Sequence, residues 1–432
     1  MSLCPHLCSG PKKRIQTQVA MGVLCSTILL FVYSNWQMDE AHRIPAVQGH
    51  LRTSSPEPPE GPVPKPRASP AVPVTPPLPL VLNVTVSEHF RKFFPLNGAY
   101  WSRLLHYTLR QHDQLNGTTA PEKWSECREA NRELLKTNMH DFDAYPDMHK
   151  DFLRGLHCQG PPLLIDQPQK CTSDSDGTFL LLAIKSAPSN FEQRQAVRET
   201  WGREAVYQGG LRVHTLFLLG STSDEHPHLQ PLLMFEALHY RDVLQWDFHE
   251  SLFNLTLKMH TFIKWSCSNC PAASFVFSGD DDVFVNTPAM VDYLRALTPA
   301  AAAEVYVGEI ISVARPMREL NNKYYVPLSF YENVYPPYAG GGGFLMSGAL
   351  MGRLSQMSAL VPLYPIDDVY VGMCMQALGI SPKMHRGFQT FDVAPYEREY
   401  VCRHKQLLLI HRRTPRNIKL LWKGINSPLL TC

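Results

Sequence analysis

Phe275-Val-Phe-Ser-Gly-Asp-Asp-Asp-Val-Phe-Val-Asn286 is the stretch from which the fold of this 432-residue chain is read. Two short apolar runs, Phe275 to Phe277 and Val283 to Val285, flank Gly279-Asp280-Asp281-Asp282. Apolar runs bounded by Gly and Asp predict buried strands with a turn between them. Three adjacent carboxylates repel one another, and a divalent cation with oxygen ligands is the simplest partner for that charge. Alternate residues of an extended segment point the same way. Asp280 and Asp282 are therefore placed to share a metal, while Asp281 faces elsewhere. An acidic surface turn is the competing reading, and the two flanking buried strands argue against it.

Upstream, the chain alternates strands and helices from Thr178 onward. Phe179-Leu-Leu-Leu-Ala-Ile184 is a continuous apolar run, as a strand covered on both faces requires. Val213 to Leu219 and Asp242 to Asp247 follow as further strands. Ser189-Asn-Phe-Glu192 has the form of a capping box opening a helix. Arg194 and Arg198 lie four apart on that helix and share a face. Ser251 to Trp265 reads as an amphipathic helix. This alternation predicts an α/β fold with a mostly parallel sheet and helices on both faces. Ligands bind such sheets beyond the strand C-termini, where Asp280 to Asp282 fall.

Downstream lies Tyr335-Pro-Pro-Tyr-Ala-Gly-Gly-Gly-Gly-Phe344, whose glycines, Gly341 and Gly342 among them, allow close approach of backbone to a ligand. In Tyr364-Pro-Ile-Asp-Asp-Val-Tyr-Val-Gly372, Asp367 and Asp368 are expected to open a helix, since acids suit the first turn. Capping accounts for one of them. A second carboxylate held beside the first has a raised pKa, which suits a general base. His411 closes the apolar run Leu407 to Ile410, as a structural residue or as a ligand to a metal at the strand ends.

Composition sets the outer limits. With 41 basic and 39 acidic residues the net charge is +2, which gives no support for a nucleic-acid binder. Val19 to Trp36 holds no charge and as a helix would reach about 27 Å, enough to span a bilayer. Lys12-Lys13-Arg14 precede it and Asp39-Glu40 follow, so the short N-terminus is expected on the cytosolic side. The expected layout is a tail over 1–18, a signal-anchor over 19–36 and a Pro-rich stem over 37–80. An N-terminal luminal subdomain over 81–170 and the main domain over 171–432 complete it. Eleven cysteines and three sequons (Asn83, Asn116, Asn254) point to an oxidising, glycosylating compartment. Eight cysteines lie past the anchor, and most are expected to be paired.

Five motifs recur in a familiar order. They are Arg194-Gln-Ala-Val-Arg-Glu-Thr-Trp-Gly202, Asn254-Leu-Thr-Leu-Lys258, the Asp280 cluster, Tyr335 to Phe344 and Asp367 to Gly372. Over about residues 160 to 432 the chain resembles the β-1,3-glycosyltransferases, type II proteins of the Golgi membrane. Leu163-Leu-Ile-Asp-Gln-Pro168 and the Cys-terminal end are most similar to the β-1,3-N-acetylglucosaminyltransferase branch, which extends poly-N-acetyllactosamine. His249-Glu250 departs from the family's pattern, which tends to carry an Asp there, and Cys267 is an extra cysteine. The resemblance implies a GT-A type fold, a UDP-sugar donor, Mn²⁺ and an inverting transfer to a galactose-terminated glycan. It implies Asp280, Asp282 and His411 as metal ligands and Asp368 as the base, with Asp367 holding the acceptor or the base. Arg194, Arg198, Lys258, Asp281, Gly341 and Gly342 are implied on the donor side. A β-1,3-galactosyltransferase of the same family and a non-catalytic saccharide-binding Golgi protein are the alternatives.

Overall fold

A computed structural model describes residues 80–114, 118–119, 124–158, 160–171, 177–221 and 228–432. The expected anchor Val19 to Trp36, nearly all of the Pro-rich stem and the sequon at Asn116 lie outside the described residues. Among the described residues no helix is long and apolar enough to cross a membrane.

The central sheet is built around the strand Leu180–Lys185, buried along its whole length because every residue but the last is apolar. Its neighbours are Phe275–Asp280 on one side and Leu211–Ser221 on the other, and Val243–His249 pairs beyond the latter. These four strands run parallel. The register pairs Lys185 with Asp280, so their side chains emerge together at the C-terminal edge. The rest of the sheet differs from the mostly parallel expectation. Gly343–Ser347 pairs antiparallel with Phe275–Asp280, and Leu163–Ile165 pairs antiparallel with Val243–His249. Tyr306–Gly308 adds antiparallel to Gly343–Ser347 and parallel to Lys383–Met384. The sheet is mixed, with a parallel centre. A continuous apolar run reports burial on both faces but carries no information about strand direction.

Successive side chains of the central strands feed two cores. Leu181, Ala183, Leu216 and Leu218 pack on the face covered by Leu255–Asn269, with Leu257 and Phe262 among the contacts. Leu180, Leu182, Ile184 and Phe217 pack on the opposite face with Val197 and Met290, from the helices Phe191–Glu199 and Thr287–Arg295. The N-terminal helices belong to the first core. Trp101 in the helix Tyr100–Gln114 is fully buried, packs edge-on against Tyr331 and Tyr364, and donates its indole N–H to the Pro362 carbonyl at 3.0 Å.

The turn expected at Gly279 to Asp282 is present between Phe275–Asp280 and Val283–Val285. The second strand leaves the main sheet and joins a small one with Leu409–His411 and Phe388–Gln389. Three disulfides, Cys127–Cys158, Cys171–Cys270 and Cys402–Cys432, use six of the eight cysteines expected to be mostly paired. Cys267 and Cys374 are free. The capping box is replaced by another arrangement. Asn190 stands at the N-cap of Phe191–Glu199 without capping it, because its amide donates to Asp281 Oδ2 at 3.0 Å.

Candidate active site

A cleft of about 950 Å³ opens beyond the C-terminal ends of the parallel strands. Lys185, Asp280, Gly341, Asp367, Asp368 and His411 all line it. Antiparallel pairing sets His411 opposite Val283 and therefore beside the acidic turn. His411 Nε2 lies 3.1 Å from Asp282 Oδ1 and 3.9 Å from Asp280 Oδ2. Ligand atoms of the three side chains fall within 4.8 Å of one another. The Thr390 carbonyl lies 2.9 Å from His411 Nδ1. A carbonyl only accepts, so Nδ1 carries the proton, and in the neutral ring the Nε2 lone pair faces the two acids. A second-sphere carbonyl that fixes the tautomer is the arrangement of a metal-binding histidine. Two carboxylates and one imidazole suit a hard or borderline divalent cation.

Charge in the site is balanced by a residue outside the sequence-based set. Lys185 Nζ lies 2.7 Å from Asp367 Oδ2 and 3.0 Å from Asp280 Oδ1, and donates to the Gly341 carbonyl at 3.2 Å. Burial alone would push this ammonium toward neutrality, but the two carboxylates outweigh burial and raise its pKa. Burial raises the Asp280 pKa to about 6; Asp367 and Asp282 add to the rise and Lys185 opposes it. At Asp282 burial pushes upward too, yet the hydrogen bond and charge of His411 hold the carboxyl below its usual range. His411 shifts the other way: burial lowers its pKa, and Asp282 more than reverses this.

Asp367 and Asp368 open the helix Asp367–Ala377, as expected, but they point to different partners. Asp367 is buried and held by Lys185. Asp368 is half-buried, accepts N–H bonds from Gly341 and Val369 at 2.8 Å each, and lines the cleft. Burial, then the neighbouring Asp367 charge, raises the Asp368 pKa to about 7, against the pull of Lys185 and the two N–H donors. A carboxylate poised near neutrality at a cleft wall is equipped to take a proton.

The donor-side set is only partly brought together. Gly341 and Gly342 line the cleft, and their lack of a side chain is required by protein groups. A Cβ at Gly341 would lie 3.0 Å from Asp368 Oδ2, and one at Gly342 2.6 Å from Thr390 Oγ1. Arg194 and Arg198 do not face the cleft, which corrects that expectation. Arg194 is fully buried; it pairs with Glu236 at 2.8 Å and donates to the carbonyls of Ala187 and Pro188. Arg198 pairs with Asp242 and Glu236, each at 2.7 Å. One buried and one half-buried guanidinium group need carboxylates, and these come from another helix and its following turn. Lys258 is likewise corrected: its ammonium bonds Glu250 at 2.8 Å and the Ser186 carbonyl at 2.7 Å. Glu250, the departure from the family pattern, also accepts the Gly220 N–H at 2.7 Å. Asp281 faces away from Asp280 and Asp282, as alternation requires, and accepts from Ser186 and Asn190. These bonds brace the turn. Lys185 falls outside the sequence-based set because the apolar run Phe179 to Ile184 stops one residue short of it. A lysine at the C-terminal end of a fully buried parallel strand was the available signal.

The galactosyltransferase family matches residues 192–386. N-acetyllactosaminide beta-1,3-N-acetylglucosaminyltransferase 2 of Mus musculus is 43% identical over 347 residues, covering 77% of this chain and 86% of its own length. The Homo sapiens protein of the same name is 41% identical over 356 residues, covering 80% and 89%. N-acetyllactosaminide beta-1,3-N-acetylglucosaminyltransferase 3 of Homo sapiens is 43% identical over 300 residues, covering 68% and 79%. The chain belongs to the galactosyltransferase family, among its β-1,3-N-acetylglucosaminyltransferases.

Proposed function

We propose that the protein transfers N-acetylglucosamine from UDP-GlcNAc in β-1,3 linkage to the terminal galactose of a glycan, with inversion, on a GT-A type scaffold. The observation that carries this reading is the pairing of two unlike carboxylate groups in one cleft. Asp280 converges with Asp282 and His411, while Asp368 lines the same cleft next to Asp367, which Lys185 bridges to Asp280. Asp280, Asp282 and His411 would hold the divalent cation, for which the family points to Mn²⁺. Bound there, the cation supplies neutralisation of the leaving diphosphate. Asp368 takes the proton from the attacking acceptor hydroxyl as that oxygen bonds to the sugar carbon. Asp367 keeps Lys185 in place, and Lys185 ties Asp280 to the Gly341 loop that donates to Asp368. Residence as a single-pass type II protein of the Golgi membrane, catalytic part luminal, is supported by the Val19 to Trp36 segment, its flanking charges and the three disulfides.

The test is release of UDP with N-acetyllactosamine as acceptor, comparing UDP-GlcNAc with UDP-galactose, with Mn²⁺ and after chelation. Product formed from UDP-GlcNAc and lost on chelation is expected. Preference for UDP-galactose would replace the donor assignment, and no transfer from either sugar would sink the catalytic reading.

A further inference from the structure

The cleft has one wall whose construction the transfer chemistry does not explain. Phe391 lines the cleft and is 72% exposed, although the residues on either side of it are tightly fixed. On its N-terminal side, Thr390 donates its N–H to Glu309, accepts the Gly342 N–H on its hydroxyl at 2.9 Å, and offers its carbonyl to His411. On its C-terminal side, Asp392 has φ of +78°, one of two positive values outside glycine among the described residues. Its carboxylate is gripped by Arg398 at 2.7 Å and Arg413 at 2.8 Å, and accepts the Val393 N–H at 2.7 Å. Asp visits the left-handed region more readily than most residues, and the several bonds to its carboxylate hold the backbone in that one shape. Here the consequence is that an apolar ring is presented to solvent from a rigid mount. That mount is tied through Thr390 to His411 and to the Gly341–Gly342 backbone that donates to Asp368.

We propose that Phe391 is the platform on which a pyranose ring of the acceptor stacks, its C–H face against the aromatic face. This rests on the glycosyl-transfer reading above. Aromatic side chains offer a flat apolar surface at small cost in side-chain entropy, and ligand sites use them alongside a few placed polar groups. An acceptor that is the end of a longer glycan must leave the cleft through its open mouth, where a largely exposed ring is available. The nucleobase of the donor is the other flat group in the reaction, and the experiment separates the two.

Phe391→Ala, Phe391→Tyr and Phe391→Leu are compared with the parent, with unchanged melting temperatures as the check on folding. KM is measured for N-acetyllactosamine at saturating UDP-GlcNAc and, separately, for UDP-GlcNAc. Binding of N-acetyllactosamine in UDP and Mn²⁺ is followed by saturation-transfer NMR. Phe391→Ala should raise the acceptor KM by about tenfold and leave the UDP-GlcNAc KM within about twofold. Tyr should restore the acceptor KM and Leu should not. The proposal is overturned if the acceptor KM is unchanged, if the donor KM rises in its place, or if Leu restores as well as Tyr. Should the parent fail to turn over UDP-GlcNAc, the function proposed above is wrong, and the NMR still decides here. Acceptor signals lost in Phe391→Ala sustain the platform, and signals equal to the parent's, or absent from both, overturn it.

Discussion

At the scale of single residues, Asp368 and Lys185 carry opposite expectations for stability. Asp368 has its pKa raised in the fold from 3.8 to about 7, so the folded protein binds a proton that the unfolded chain has released. Its contribution is therefore unfavourable above about pH 4, grows as pH rises, and levels off above about pH 7. Asp368→Asn removes that cost but keeps only one of the two N–H bonds, since its amide has a single accepting oxygen to offer Gly341 or Val369, and this offsets part of the gain. In buffer with chelator, the variant should melt higher than the parent at pH 8 by an amount on the order of 1–2 kcal/mol, and the gain should shrink toward pH 5. Turnover should fall by about 10²- to 10⁴-fold with UDP-sugar affinity nearly unchanged. A variant that keeps near-parental turnover, with Asp367→Asn inactive, would move the base to Asp367. Lys185 predicts the reverse. Lys185→Met leaves the buried Asp367 and the half-buried Asp280 without their cation, and denaturant titration should show a loss of about 3 kcal/mol. A loss below about 1 kcal/mol would mean the bridge is open to water.

At the scale of elements, the site depends on close backbone passages more than on helix or strand content. Gly342 packs where a Cβ would meet Thr390 Oγ1 at 2.6 Å and His411 Cγ at 3.2 Å. Gly342→Ala should push Thr390 aside, release the His411 ring from its carbonyl, and weaken Mn²⁺ binding by about tenfold or more in calorimetry. Gly352, in the helix Gly348–Met357, meets nothing within 4 Å, so Gly352→Ala should leave metal affinity alone and add about 0.5–1 kcal/mol to stability. Equal metal affinity in both variants would separate His411 from the metal. These contacts also explain how far the sequence could be read. The strand Leu180–Lys185 was legible because a strand covered on both faces must be apolar almost throughout, and the acidic turn because it separates the apolar runs Phe275 to Phe277 and Val283 to Val285. The helix at Asp367 was legible from its acidic start. The antiparallel strands were not, since Gly343–Ser347, inside the sheet between Tyr306–Gly308 and Phe275–Asp280, carries no mark of its direction. Nor were the partners of Arg194 and Arg198. Their shared helix face was visible, but Glu236 and Asp242 sit some 40 residues away on other elements. His411 and Asp282 are 129 residues apart, and only the pairing of two three-residue strands makes them neighbours.

At the scale of the molecule, the cleft draws on residues from Lys185 to Asn417, so it exists only when most of the described chain has folded together. The N-terminal helices are part of that requirement, and Asn254 shows how. Its sequon suits glycosylation by sequence alone, yet the side chain is fully buried and its amide donates to Asp151 at 3.1 Å and to the His249 carbonyl at 2.8 Å. Asp151 lies on the helix Asp147–Arg154, so this amide joins the N-terminal helices to the start of Leu255–Asn269. Asn83, by contrast, is exposed. A glycan on Asn254 would have to be added before folding and would then block both hydrogen bonds and the packing around them. A chain that begins at Thr75, secreted from cells that glycosylate, is therefore expected to carry glycan at Asn83 and none at Asn254. Peptide mass spectrometry after glycosidase treatment in heavy-oxygen water reads each site directly. The substitutions should sort the same way. Asn254→Gln loses a buried, doubly bonded amide and should cost about 1–3 kcal/mol, whereas Asn83→Gln should leave the melting temperature unchanged. A folded, active chain with glycan on Asn254 would show that this corner of the molecule packs differently, and that the N-terminal helices are not fastened to the catalytic core through Asp151.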